Sequence, residues 1–332
     1  MKLLVLGGTG FVGRTIVDEA LTRHADVTVL NRGHRPPPAG VTALTGDRTT
    51  PGGLDALHGT TYDHVIDTWS AAPTAVRDAA HTLTGRTGHY TYVSSRSVYA
   101  YPPPPHGTED APLVAGSPDD GPDTPYAEAK RGAEIAVLDA FGDRALLARA
   151  GLILGPHEDI GRLPWWLNRI ARGGTVPAPG PHHLPLQYID ARDLATFLLD
   201  AATHGRTGPY DLVSEPGHTT MGELLDTCVH VTGADADLHW IDPDTILAAG
   251  IQPWTDLPVW LPPGPDHDGM HGSDVSKAIA AGLHCRPVHD TVADTWTWMR
   301  SIGGQPRQRP DRPTPGLDPA AEAALIARAH AR

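Results

Sequence analysis

Met1-Lys2-Leu3-Leu4-Val5-Leu6-Gly7-Gly8-Thr9-Gly10-Phe11-Val12-Gly13 decides the fold. A short apolar run passes directly into a glycine-rich turn, and Ile16, Val17, Ala20 and Leu21 then follow at helical spacing. Strand, glycine turn, helix is the context a dinucleotide fingerprint requires. Gly7 allows the tight turn, Gly10 lets the backbone approach a pyrophosphate, and Gly13 permits close packing of helix on strand. The helix amino terminus faces the anion. A second strand, Asp26 to Leu30, ends in Asn31-Arg32-Gly33. An acidic residue there would bind the 2′-hydroxyl of NAD, whereas Asn31 with Arg32 beside it suits the 2′-phosphate of NADP. The run that opens the chain reads as a core strand and not as a signal peptide.

The chemistry expected of such a domain has candidates further along. Tyr126 and Lys130 stand four apart in Tyr-Ala-Glu-Ala-Lys, and Lys130 is one of three lysines in a chain with 23 arginines. On a helix the two side chains share a face. An ammonium beside a phenol favours the ionised phenol and so readies it for proton exchange. Upstream, Thr91 to Ser95 reads as a buried strand. In an open parallel sheet, ligands bind at the carboxyl ends of strands, which is where Ser95 falls. A serine there can hold a substrate oxygen or satisfy a local backbone group, and the residues alone leave both roles open.

Taken together these pieces resemble the extended or atypical short-chain dehydrogenase/reductases, the group labelled NAD-dependent epimerase/dehydratase or, in bacteria, isoflavone-reductase-like. The matching segments run from Gly7 to about Asp193: the glycine loop, Asn31-Arg32-Gly33, Gly46-Asp47-Arg48, Val65 to Thr68, Val93-Ser94-Ser95 through Tyr99, Tyr126 to Lys130, Gly155-Pro156, and Gln187 to Asp193. The resemblance implies a Rossmann doubly wound parallel α/β sheet with a smaller C-terminal substrate-binding region. It implies catalysis by Ser95, Tyr126 and Lys130. It gives cofactor contacts to Gly7, Thr9, Gly10, Phe11, Val12, Gly13, Asn31, Arg32, Asp47, Arg48, Thr68, Ser94 and Lys130, with Asp47 at the adenine ring and Lys130 on the nicotinamide ribose. NADP(H) is the expected cofactor, with NAD(H) second.

One departure narrows the activity. The family's sugar 4,6-dehydratases carry an Asp-Glu pair after the catalytic Ser or Thr, where this chain has Arg96 and Ser97. The first expectation is an NADPH-dependent reductase acting on a carbonyl or imine of a small, partly apolar metabolite. The alternatives are a nucleotide-sugar epimerase with retained NAD, and a non-catalytic dinucleotide sensor. Trp69, Arg96, Trp165, Trp166, Gln187 and Trp254 are the substrate-side candidates. Leu163 to Leu167 and Pro253 to Leu261 hold four of the eight tryptophans, Trp260 among them, in proline-bracketed segments. Any one reads as core; together they suggest a partly apolar pocket wall.

Length and composition fit this partition. The 332 residues divide into a dinucleotide-binding domain (1–160) and a mainly substrate-binding region (161–303) from which about 186–202 returns to the first domain, followed by a linker and C-terminal helix (304–332). Residues 303–315, rich in Pro, Arg and Gln, read as an exposed linker. Asp318-Pro319 opens a helix that can dock on its own body or on a second subunit in a homodimer. Met221 to Val231 reads as a helix with Leu224, Leu225, Cys228 and Val229 on one stripe. A net charge of −13 leaves no basic face for nucleic acid. Cys228 and Cys285 are too few for a disulfide framework or zinc site and fit a reducing cytoplasm. No stretch is long enough to span a membrane. The 19 histidines, His182-His183, His267 and His271 among them, lack the carboxylate or cysteine partners of a metal site and read as solvated loop residues.

Overall fold

A computed structural model describes residues 1–331. Six strands come early: β1 (Lys2–Leu6), β2 (Asp26–Asn31), β3 (Thr42–Thr45), β4 (Tyr62–Asp67), β5 (Thr87–Ser95) and β6 (Ala145–Ala150). With a later strand, Gly208–Leu212, they form one sheet in the order β3-β2-β1-β4-β5-β6 and then Gly208–Leu212, all parallel. Parallel strands are covered on both faces, which is why β1 reads as a nearly unbroken apolar run and why β5 and β6 are buried along almost their whole length.

The order reverses beside β1, so a crevice opens where the chains leaving β1 and β4 diverge. Register fixes its floor. Leu6 pairs with both Leu30 and Asp67, so Gly7, Asn31 and Thr68 leave the sheet at one level.

Helices α1 (Phe11–Thr22), α2 (Pro73–Leu83), α3 (Tyr126–Phe141), α4 (Arg162–Ala171), α5 (Ala191–Thr203) and α6 (Met221–Thr232) follow in chain order. On one face of the sheet, Ile16 and Val17 of α1 and Leu194, Leu198 and Leu199 of α5 pack against Val5, Val29 and Ala148. On the other, Val76 and Ala79 of α2 and Ala133 and Val137 of α3 pack against Leu4, Tyr90 and Leu147. The seventh strand lies beyond the return expected in the sequence. It follows a Gly-Arg-Thr-Gly turn and begins with Gly-Pro, which hides it from pattern reading.

A second core lies on the C-terminal side. Trp166 and Leu167 of α4, Leu224, Leu225 and Cys228 of α6, Trp260, Val292 and Met299 share it with Leu317 and Leu325. Helix α6 starts at a capping box in which Thr220 accepts from Glu223 N and Glu223 accepts from Thr220 N, and it ends at Gly233 in the left-handed conformation. The tail helix Pro319–His330 is N-capped by Asp318, which accepts from Ala320 N and Ala321 N. It docks on the chain's own body: Leu325 is 1% exposed, and Glu322 pairs with Arg169 at 2.7 Å.

Two expectations change here. His267 and His271 lie on a short helix, Pro265–His271, and are buried with ring centroids 5.1 Å apart, not solvated in a loop. Their ring nitrogens meet the Pro185 carbonyl and the Gln187 amide. Residues 304–316 are also more than an exposed linker, because they lie against the body of the protein with Arg309 N donating to Asp159 O. Among the described residues no helix is long and apolar enough to cross a membrane, and no His, Cys, Asp or Glu cluster could hold a metal.

Candidate active site

The glycine turn is shaped by contact. Gly7 has φ +101°, and a Cβ there would lie 2.4 Å from Thr68 Oγ1. A Cβ on Gly13 would lie 2.2 Å from the Gly7 carbonyl oxygen, so the helix can approach the strand this closely only as glycine. Gly10 differs: a Cβ there would meet nothing within 4 Å. The open space adjoins the amino terminus of α1, where no side chain caps the helix, so its first amides remain available to an anion. This cradle fits a dinucleotide pyrophosphate. Phe11 is buried, and Val12 packs partly buried against the core on this face of the sheet.

At the end of β2, Asn31 Oδ1 accepts from Gly33 N at 2.8 Å, and Arg32 is exposed with no ion pair among the described residues. Asp47 accepts from the Thr49 hydroxyl and amide, which together hold its carboxyl below the usual range. Arg35, which the sequence reading passed over, donates to Thr9 O at 3.3 Å and to Asp159 Oδ2 at 3.2 Å, bracing the glycine loop against the far side of the crevice.

Arg48 corrects its assignment as a cofactor contact. Its buried guanidinium forks onto Asp67 at 2.8 and 2.6 Å and lies 4.6 Å from the Trp69 ring centre. Asp67 also accepts from Tyr90 Oη and Trp69 N. The four contacts fix the loop leaving β4, and the indole of Trp69 is held by donation to Ala72 O. Thr68 donates from both its amide and its hydroxyl to Leu6 O.

Lys130 sits over this loop. Its ammonium donates to Trp69 O and Val93 O, both at 2.7 Å, and lies 4.7 Å from the Tyr92 ring centre. An ammonium has three donors, so one stays free. Burial pushes the Lys130 pKa down to about 7, against the pull of Asp67 and Glu134. Tyr126, the first residue of α3 and 36% exposed, stands on the same helical face one turn earlier. Ser95 ends β5, where its hydroxyl donates to Ser97 Oγ and accepts from Ser97 N, both at 3.1 Å. The ammonium thus lies beside the loop leaving β4 and the end of β5, with Ser95 closing that strand and Tyr126 one helical turn before Lys130. A phenol and a serine hydroxyl are the groups such a site offers for proton exchange and hydrogen bonding.

Other candidates face elsewhere. Ser94 Oγ donates to buried Glu134 at 2.8 Å, away from the cofactor crevice. Glu134 is gripped by Arg149 at 2.9 and 3.1 Å, and Arg149 reaches Tyr99 Oη and Glu109 O. Arg96 is buried, donating to the carbonyls of Met270 and Gly269 beside Asp211, so it braces the Pro265–His271 helix and is not turned toward a substrate. Gln187 spends its side chain on Ser214 O, Ser273 O and Ser273 N. Trp166 and Trp260 are fully buried, their indoles donating to Pro258 O and Gly180 O, so they are core and not pocket wall. Trp165 and Trp254 keep part of their surface. The Glu134–Arg149 pair escaped the sequence reading because nothing local marks two side chains that meet only through the fold.

The sequence profile of the NAD dependent epimerase/dehydratase family matches residues 3–213. Solved structures with similar folds include the Bordetella bronchiseptica enzyme WbmH in complex with NAD+, 17% identical with a TM-score of 0.66 over 91% of this chain and 99% of that one. The B. bronchiseptica enzyme WbmG in complex with NAD and UDP is 18% identical, with a TM-score of 0.66 over 94% and 99%. The UDP-glucose 4-epimerase of Thermus thermophilus in complex with NAD is 20% identical, with a TM-score of 0.61 over 90% and 99%. Comparison with curated protein sequences gives no match.

Proposed function

Because the chain belongs to the NAD dependent epimerase/dehydratase family, we propose that it oxidises and reduces a carbinol carbon of a nucleotide sugar, inverting that centre in the manner of a 4-epimerase. The observation that carries this reading is the placement of Tyr126 and Lys130 on one face of α3, with the ammonium anchored between the ends of β4 and β5. The nicotinamide supplies reversible hydride acceptance. The rest belongs to this chain. Tyr126 takes the hydroxyl proton as the carbon is oxidised and returns it on reduction. Ser95 hydrogen-bonds the same oxygen, and Lys130 offers its free donor to the ribose.

The likeness to sugar-nucleotide epimerases supports this reading over a reductase of apolar ketones or imines. So does the loss of two of the four tryptophans behind the apolar wall, since Trp166 and Trp260 are core. Dehydration fits poorly, because Arg96, at the first position of the acid–base pair, is buried against backbone carbonyls. The reductase reading keeps one specific support, the unpaired Arg32 at the end of β2, which suits exchangeable NADP(H).

The test is to release and identify the nucleotide that copurifies, then incubate the protein with UDP- and dTDP-hexoses and follow the anomeric signals by NMR. Retained NAD and conversion between two epimers support the proposal. No conversion of any nucleotide sugar, with NADPH consumed by a ketone or imine, transfers the assignment to the reductase.

A further inference from the structure

The C-terminal segment 304–316 is pinned at its middle and at its end. Arg309 N donates to Asp159 O at 2.9 Å, and Gly316 N donates to Thr255 O at 2.7 Å. Its packing is close: a Cβ on Gly161 would lie 2.3 Å from the Gln308 amide nitrogen, and one on Gly316 would lie 1.9 Å from Trp165 Nε1. Between these anchors the strap lays the Arg312 guanidinium 4.9 Å from the centre of the Tyr126 ring. Arg162, at the start of α4, is close enough to interact electrostatically with both Tyr126 and Arg312, and its guanidinium lies 5.2 Å from the Trp254 ring centre. Trp254 itself adopts φ +67°, an unusual conformation for a tryptophan.

We propose that Arg312 of the strap and Arg162 of α4 form an oxyanion subsite beside Tyr126, which receives a carboxylate or phosphate group of the substrate close to the reacting carbon. The proposal rests on Tyr126 acting at that carbon.

The charge of both guanidinium groups is unmet. Among the described residues neither guanidinium has a carboxylate within ion-pair distance, whereas neighbouring Arg309 is paired with Asp311 and Arg35 with Asp159. Arg312 Nε is buried without a hydrogen-bond partner. Burial lowers the Arg162 pKa, and Arg312 nearby lowers it further. Glu158, the carboxyl that opposes this shift, spends its oxygens on Arg162 N and Leu163 N and is itself pushed up to about 7 by burial. Two like charges held near each other, partly buried and without an ion-paired carboxylate among the described residues, are costly. A fork of guanidinium donors is the usual means of holding a carboxylate or phosphate. The ring faces of Tyr126 and Trp254 orient the two forks without using their donors.

The test is equilibrium titration of the cofactor-loaded protein with inorganic phosphate, malonate and neutral malonamide, read by calorimetry and tryptophan fluorescence. Phosphate and malonate should bind saturably and malonamide should not. The tighter anion identifies the substrate's charged group as phosphoryl or carboxylate. Arg312→Gln and Arg162→Gln should each weaken the anion about tenfold or more with unchanged melting temperature. Arg300→Gln, which removes an equal charge from an exposed helix end, should not. Phosphate binding as tight in Arg312→Gln as in the parent, or equal losses in all three variants, overturns the subsite. Tyr126→Phe separates the two claims. If that variant keeps full turnover while the arginine variants lose anion binding, the catalytic reading fails and the subsite stands.

Discussion

Lys130 Nζ donates to the Trp69 carbonyl oxygen at 2.7 Å, tying helix α3 to the loop that leaves β4. The same ammonium reaches Val93 O on β5, so one side chain fixes the spacing of three elements around the crevice. A guanidinium is larger than an ammonium and planar, and cannot take this position between two carbonyls. That accounts for a lysine in a chain that otherwise favours arginine.

The buried ammonium has a pH signature. Lys130 falls from 10.5 to about 7 on folding, so between these values the unfolded chain binds a proton that the folded chain lacks. Folding stability should therefore rise with pH across this window, and the penalty should be complete below pH 7. Chemical denaturation of the cofactor-free protein and of Lys130→Met measures it: the parent's stability should gain on the variant's as pH rises. Parallel profiles would contradict the burial assigned to this group.

Arg48→Met should cost about 3 to 5 kcal/mol, because it strands the buried Asp67 carboxylate. Adding Asp67→Leu should recover part of that loss, although Tyr90 Oη then loses its acceptor. Denaturant melts of the parent and three variants give the coupling. Additive losses would mean that the pair is not an energetic unit.

The glycine loop separates stability from binding. Gly10→Ala places its Cβ in open space and should fold normally while blocking the pyrophosphate, so cofactor affinity falls with little change in melting temperature. Gly13→Ala drives its Cβ into the Gly7 carbonyl and should lower both. Unchanged cofactor affinity in Gly10→Ala would remove the pyrophosphate from this position.

Arg32 decides between the cofactors. If it takes the 2′-phosphate, NADPH binds more tightly than NADH and Arg32→Ala erases roughly tenfold to a hundredfold of that preference. Equal parent affinities at matched salt would leave NAD as the resident cofactor.

Much of this was readable from short-range pattern. The glycine loop, the end of β2 and the Tyr126–Lys130 pair announce themselves because their chemistry depends on spacing within one turn or one helix. What escaped depends on distant partners. Trp166 and Trp260 looked like pocket wall because a buried indole and an exposed one have the same local sequence. Glu134 and Arg149 meet across α3 and β6, and Ser94 goes with them. Residues 304–316 have the composition of a linker, and only the fold shows Gln308 against Gly161 and Arg312 over Tyr126.

The most direct test of the central claim is single-turnover kinetics of Tyr126→Phe with the cofactor bound and the nucleotide sugar found by NMR. Removing the phenol oxygen should slow turnover about a hundredfold or more while cofactor affinity stays nearly unchanged. Turnover at the parent rate would contradict the account, because another group would then be moving the proton.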